Sequence, residues 1–86
     1  MKKTFVEYKV ETDQLAAYRD YMAKRLKGLS DTIWLESQEQ SALFLEVHTN
    51  AEDNLGDRVR SDQELLSYVQ NRTVRVWTFR DASQPT

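Results

Sequence analysis

Eighty-six residues weighing 10.1 kDa suffice for one hydrophobic core and about six short elements, which excludes a multidomain enzyme. A hydrophobic share of 40% beside 30% charged residues, with two Gly and one Pro, describes a folded domain. Twelve Lys and Arg against fourteen Asp and Glu leave a net charge of -2, without the positive field that attracts nucleic acid, and the lack of Cys excludes disulfides, thiolate zinc sites, iron–sulfur clusters and a Cys nucleophile.

The start Met1-Lys2-Lys3 is basic like a signal n-region, but Glu7 and Lys9 stand where an apolar segment would follow. No run of 18 apolar residues exists, so no membrane span and a cytoplasmic location are expected. Residues 4–11 alternate at a period of two and predict a strand. From Thr12 the period lengthens: Leu15, Tyr18, Met22, Leu26 and Leu29 recur at gaps of 3, 4, 4 and 3, the stripe of a helix. Thr12 or Asp13 is its expected cap, Asp20 and Lys24 an i,i+4 pair, and Gly28 its stop after the basic Lys24, Arg25 and Lys27.

Residues 32–38 and 42–48 are two strand-like runs joined by Glu39, Gln40 and Ser41, a hairpin without the Asn-Gly chemistry that would fix its register. Thr49 with Glu52, and Ser61 with Glu64, have the spacing of capping boxes. Leu55, Val59, Leu65, Leu66 and Val69 then predict a helical region over 51–70, broken near Ser61. Residues 73–80 alternate again, and 81–86 form a polar tail.

The order β-α-β-β-α-β, in one domain over 1–86, predicts the α+β ferredoxin-like fold: a four-stranded antiparallel sheet with both helices on one face. Splitting each strand by parity gives two sets. Val6, Tyr8, Val10, Ile33, Leu35, Leu43, Leu45, Val47, Val74 and Val76 are nearly all aliphatic and are expected under the helices. Phe5, Glu7, Lys9, Trp34, Glu36, Phe44, Glu46, His48, Arg75, Trp77 and Phe79 mix five large aromatics with charges and are expected on the open face. Five half-presented aromatics make a patch of about 500 Å², near the largest a monomer tolerates, so a covering is expected. RNA is disfavoured, because the third strand lacks Gly and basic residues and Glu7, Glu36 and Glu46 would repel phosphate. A second copy of the sheet fits better.

The element order, the two-toned sheet, the closing run Arg75-Val76-Trp77-Thr78-Phe79 and the stretch Arg58-Val59-Arg60-Ser61-Asp62-Gln63-Glu64-Leu65 together resemble the dimeric α+β barrel superfamily, in particular its antibiotic-biosynthesis-monooxygenase-like and NIPSNAP-like members. The resemblance spans residues 4–80 and implies a homodimer in which two sheets close face to face, helices outside, sometimes around a small ligand. Haem-degrading members use an Asn on the first strand and a His outside it. Here Glu7 occupies that face and the only His lies on the third strand, so that activity does not transfer. Lrp-type regulators add a helix-turn-helix that 86 residues cannot hold.

His48, the sole histidine, reads as a general base held by a carboxylate or, more plainly, as a polar strand end ringing an interface. Glu7, Glu36 and Glu46 need partners on a half-buried face, for which Arg75 and Lys9 are available; one of the carboxylates could instead bind or deprotonate a ligand. Trp34 and Trp77 read as interface anchors or as stacking surfaces for a small aromatic ligand, with Phe44 beside them. One His with scattered Glu lacks metal-ligand spacing, and no cofactor motif occurs, so neither metal nor cofactor is expected. The resulting expectation is a homodimeric small-molecule-binding or structural module. The alternative is a cofactor-independent monooxygenase acting on an electron-rich aromatic substrate, with His48 or Glu46 as base and Trp34, Phe44 and Trp77 lining its pocket, although no inward Asn is present to hold an oxyanion.

Overall fold

A computed structural model describes residues 1–83. The elements are β1 (Lys2–Val10), a 3-10 turn (Thr12–Gln14), α1 (Leu15–Leu26), β2 (Thr32–Glu36), β3 (Leu43–Thr49), α2 (Leu55–Arg60), α3 (Gln63–Tyr68) and β4 (Val69–Arg80). The strands form one antiparallel sheet in the order β2-β3-β1-β4, the ferredoxin-like arrangement. Of the predicted tail, residues 84–86 lie outside the described residues.

The α1 stripe explains the core. Tyr18 and Met22 are fully buried against Val6, Tyr8 and Val10 of β1 and Phe44 of β3, joined by Leu55, Val59, Leu65 and Val69. The helix stops at Leu26, before Gly28, and no glycine adopts a positive φ, so Gly28 serves no left-handed cap. The break expected near Ser61 separates α2 from α3. Ser61 N–H caps α2 on Asp57 and Arg58 carbonyls, and the Asp62 carboxylate accepts from Leu65 N–H at 3.0 Å to start α3. Neither predicted capping box forms: Thr49 ends β3, and Asp62 takes the cap position expected of Ser61.

β4 begins at Val69 rather than 73. Asn71 and Arg72 adopt φ of 55° and 52°, and the pairing with β1 jumps from Tyr8↔Val74 to Val10↔Val69, so the extra residues are absorbed in a bulge.

The face assignment holds for β1 and β4 and is inverted for β2 and β3. Tyr8 pairs with Phe44, Val6 with Glu46 and Thr4 with His48, while Trp34 pairs with Glu46, so Trp34, Glu36, Phe44, Glu46 and His48 lie on the helix side. Ile33, Leu35, Leu43, Leu45 and Val47 turn to the open face with Phe5, Glu7, Arg75, Trp77 and Phe79. The reason is electrostatic. Glu46 was expected to pair with Arg75 or Lys9 on the open face or to meet a ligand there, yet its cation is Arg25 on α1, which seals the carboxylate beneath the helix.

Candidate functional site

The chemistry converges on Glu46, whose side chain has no exposed surface. Its Oε2 accepts from Tyr8 O–H at 2.5 Å and Arg25 Nη1 at 2.7 Å, and its Oε1 accepts from Arg25 Nη2 at 2.9 Å and His48 Nε2 at 2.8 Å. Tyr8 spends its one proton on Glu46, so Tyr18 O–H must donate to Tyr8 at 2.7 Å, and Trp34 Nε1–H donates to Tyr18 at 2.9 Å. The result is a directed chain running Trp34, Tyr18, Tyr8, Glu46. An ionised carboxylate only accepts, so His48 donates to it from Nε2, and in the neutral ring Nδ1 then accepts from Thr32 O–H at 3.1 Å.

Burial pushes the Glu46 carboxyl up, but the hydrogen bonds from His48 and Arg25, the Arg25 charge and the Tyr8 bond outweigh it and leave the group at about 2. Burial would lower Arg25, and Glu46 more than offsets it, so the guanidinium is a permanent cation. Burial, with Glu46 alongside, holds Tyr8 far above the usual tyrosine range, and burial also raises Tyr18. Among the described residues every buried side-chain polar atom has a partner. Such a network is rigid and locates His48 firmly.

His48 and Arg25 are among the residues lining an open cleft of about 510 Å³, where the α1–β2 loop, the end of β3 and α2 meet. Leu29, Leu55 and Val59 supply apolar wall, and Asp31, Glu52 and Arg58 stand around it. The two loops that frame it are tied together: Thr49 N–H donates to the Asp31 carbonyl at 3.0 Å, and Asn50, at φ 54°, exchanges bonds with Lys2 of β1.

The residues singled out from sequence therefore fall into two groups separated by the sheet. Trp34, Phe44, Glu46 and His48 cluster on the helix side, with Trp34 stacked on Phe44 at 6.0 Å between ring centroids. Glu7, Arg75 and Trp77 lie on the open side. The three glutamates take three different cations: Glu46 takes Arg25, Glu36 takes Arg19 at 3.0 Å, and Glu7 takes Arg75 loosely at 3.9 Å. Lys9 takes none of them. Sequence reasoning missed Arg25, Tyr8 and Tyr18. The available signal was the α1 spacing, which puts Tyr18, Met22 and Arg25 on one inward stripe. Among the described residues no three His, Asp or Glu side chains gather as a metal site requires, and no helix is long and apolar enough to cross a membrane.

The open face is the second feature of note. Ile33, Val47, Phe5 and Trp77 line up across all four strands, flanked by Leu35, Leu45 and Phe79. Ile33 is 54%, Leu35 46%, Trp77 44% and Phe79 58% exposed.

No protein-family model matches the sequence, and no curated protein does. Solved structures share the fold. The chain is similar to the crystal structure of an antibiotic biosynthesis monooxygenase, with TM-score 0.73 and 6% identity over 95% of this chain and 99% of that one. A Nitrosomonas europaea protein provisionally assigned as an antibiotic biosynthesis monooxygenase gives TM-score 0.64 and 12% identity over 95% and 99% of the two chains. A conserved protein from Methanosarcina mazei Go1 gives 0.64 and 11% over 92% and 90%. The fold class is thus the ferredoxin-like α+β architecture of antibiotic-biosynthesis-monooxygenase-like structures.

Proposed function

We propose that the chain acts as a homodimeric small-molecule-binding module: two copies close sheet to sheet, and each presents its His48 cleft on the outer, helix-covered side. The observation that carries the dimer is the apolar open face, on which Ile33, Leu35, Trp77 and Phe79 are 44% to 58% exposed. Four strands about 4.8 Å apart and roughly 25 Å long present about 500 Å² in plan before side-chain relief, the scale of the ~800 Å² each partner buries in a standard interface. A four-stranded apolar face that carries Trp77 suits a second copy of itself better than a polar partner. Light scattering at micromolar concentration is expected to give twice 10.1 kDa. A monomer mass there overturns the dimer.

A second reading, an oxygenase that uses no cofactor, draws on the assigned activity of the similar folds together with the His48 geometry. With Nε2–H held by Glu46, the basic nitrogen is Nδ1, next to Thr32 in the cleft, and can take a proton from a phenolic substrate. Glu46 is then a positioning residue, since a buried carboxylate at about 2 is a poor base. The substrate anion supplies the electrons to dioxygen, one oxygen entering the product and the other leaving as water. Oxygen uptake with anthrones and hydroquinones, lost in His48→Ala, would support this reading; uptake at the buffer rate with every substrate removes it and leaves the binding module.

A further inference from the structure

We propose that His48 and Thr32 form a proton-operated switch that inverts the hydrogen-bonding sense of the cleft: with the ring neutral the Thr32 oxygen offers lone pairs there, and with the ring charged it offers its O–H. The switch belongs to the single chain and stands whether or not two copies associate.

The geometry that carries it is the engagement of both ring nitrogens. His48 keeps only 7% of its side-chain surface, with Nε2 at 2.8 Å from Glu46 Oε1 and Nδ1 at 3.1 Å from Thr32 Oγ1. The Glu46 carboxyl is held at about 2, so at any higher pH it only accepts, and Nε2 carries a proton in both states of the ring. Protonation therefore falls on Nδ1. A neutral ring presents a lone pair there and receives the Thr32 hydroxyl proton. A charged ring presents N–H, and the hydroxyl oxygen must accept it. A hydroxyl has one proton, so when it stops donating to the ring it has that proton for the cleft. The bond to His48 is the single hydrogen bond of the Thr32 hydroxyl among the described residues, and Thr32 lines the cleft. Antiparallel pairing sets Thr32 directly opposite His48, so the backbone keeps the two side chains together in either state.

The surroundings let the buried ring take a charge. Glu46 supplies the counter-charge, while burial and Arg25, which shares that carboxylate, oppose it. Tyr8 reaches the ring only through Glu46 and stays protonated. Beyond the network, Asp31 of the α1–β2 loop and Glu52, Arg58 and Asp62 on the α2 side line the same cleft, three carboxylates against one guanidinium, a solvent-screened bias toward a cation. The consequence is chemical. With the ring neutral, a ligand hydroxyl or N–H donates to the Thr32 oxygen or replaces Thr32 at Nδ1. With the ring charged, the same place takes a carbonyl or carboxylate oxygen, and no bare nitrogen remains to accept a proton.

The test is the titration of the sole imidazole in the nitrogen-labelled intact chain, followed through its two-bond proton–nitrogen couplings from about pH 8.5 to about pH 5, where Glu46 remains ionised. The alkaline form is expected to carry its proton on Nε2 with Nδ1 bare, and the acid form protons on both nitrogens with the fold unchanged. Thr32→Val keeps the branched shape and removes the hydroxyl. It is expected to lower the midpoint by about half a unit, because the bond lost by the charged ring is charge-assisted and the bond lost by the neutral ring is not. Thr32→Ser is expected to keep the wild-type midpoint. A neutral ring protonated on Nδ1, a ring that holds one state throughout, or a Thr32→Val midpoint equal to the wild type each overturns the switch. None of these readings uses a ligand, so failure of the switch leaves the binding module standing, and failure of the binding module leaves the switch.

Discussion

Glu46 stays ionised without any exposed surface because four hydrogen bonds converge on its two oxygens. Its folded value of about 2 lies below the ordinary 4.5, so the unfolded chain binds the proton more readily. The stabilisation is therefore complete above about pH 4.5 and is lost as the pH falls toward 2, and the shift corresponds to about 3 kcal/mol. Urea unfolding of the wild type should show its midpoint falling through that window. Glu46→Gln leaves the Arg25 charge buried beneath α1 without its counter-charge and should cost about 3 kcal/mol or more at neutral pH. The same variant should lack the steep acid loss. A wild-type midpoint that is flat from pH 5 to about 2 would contradict the geometry of this carboxylate.

At the scale of elements, two local devices hold the C-terminal half. Asp62 caps α3 through Leu65 N–H and also receives Tyr21 O–H from α1, so it joins two helices. Asp62→Ala should lower stability by about 1 to 2 kcal/mol, and Asp62→Asn, which keeps an acceptor, should cost less. In β4 the exposed Asn71 sits at φ 55°. Asn71→Gly should be neutral within about 0.5 kcal/mol, whereas Asn71→Val, forcing a β-branched residue into the left-handed region, should cost about 1 to 2 kcal/mol. Urea titration reads both series. These devices also mark the limits of legibility. The period of each segment identified four strands, a long first helix and the break at Ser61, because burial on one side imposes that period. Asp62 and Asn71 act through backbone geometry, which hydrophobic pattern does not encode. The inverted faces of β2 and β3 have a related cause: parity groups residues within a strand but carries no information on how two strands align. Glu46, whose cation lies 21 positions earlier on α1, belongs to the core, although its expected partners were Arg75 and Lys9 on the open face. His48 was legible as an imidazole held by a carboxylate of its own sheet face, while Arg25 and Tyr8, which complete the site, come from other elements.

At the scale of the whole molecule, the inversion strengthens the case for a covered sheet, since the open face exchanges two aromatics for five aliphatic residues while keeping Phe5, Trp77 and Phe79. The aliphatic residues were expected to be the core; on the open face their burial has to come from a partner. Trp77 offers a direct reading of that burial. It is 44% exposed in the single chain and lies in the apolar row beside Phe5, whereas Trp34 is packed under α1 and bonded to Tyr18. In Trp34→Phe the only indole is Trp77, so its emission reports the open face alone. Closure of two sheets should give a blue-shifted spectrum at high concentration that moves red on dilution, with a midpoint at the dimer dissociation constant. Adding Phe79→Glu, which changes a side chain 58% exposed and outside the core, should leave the circular dichroism unchanged and shift the midpoint upward by at least about tenfold. If the Trp77 emission is already red and independent of concentration from nanomolar to hundreds of micromolar, the face is not covered by a second copy. A blue-shifted but concentration-independent spectrum accompanied by a monomer mass would mean instead that the chain folds back over its own sheet.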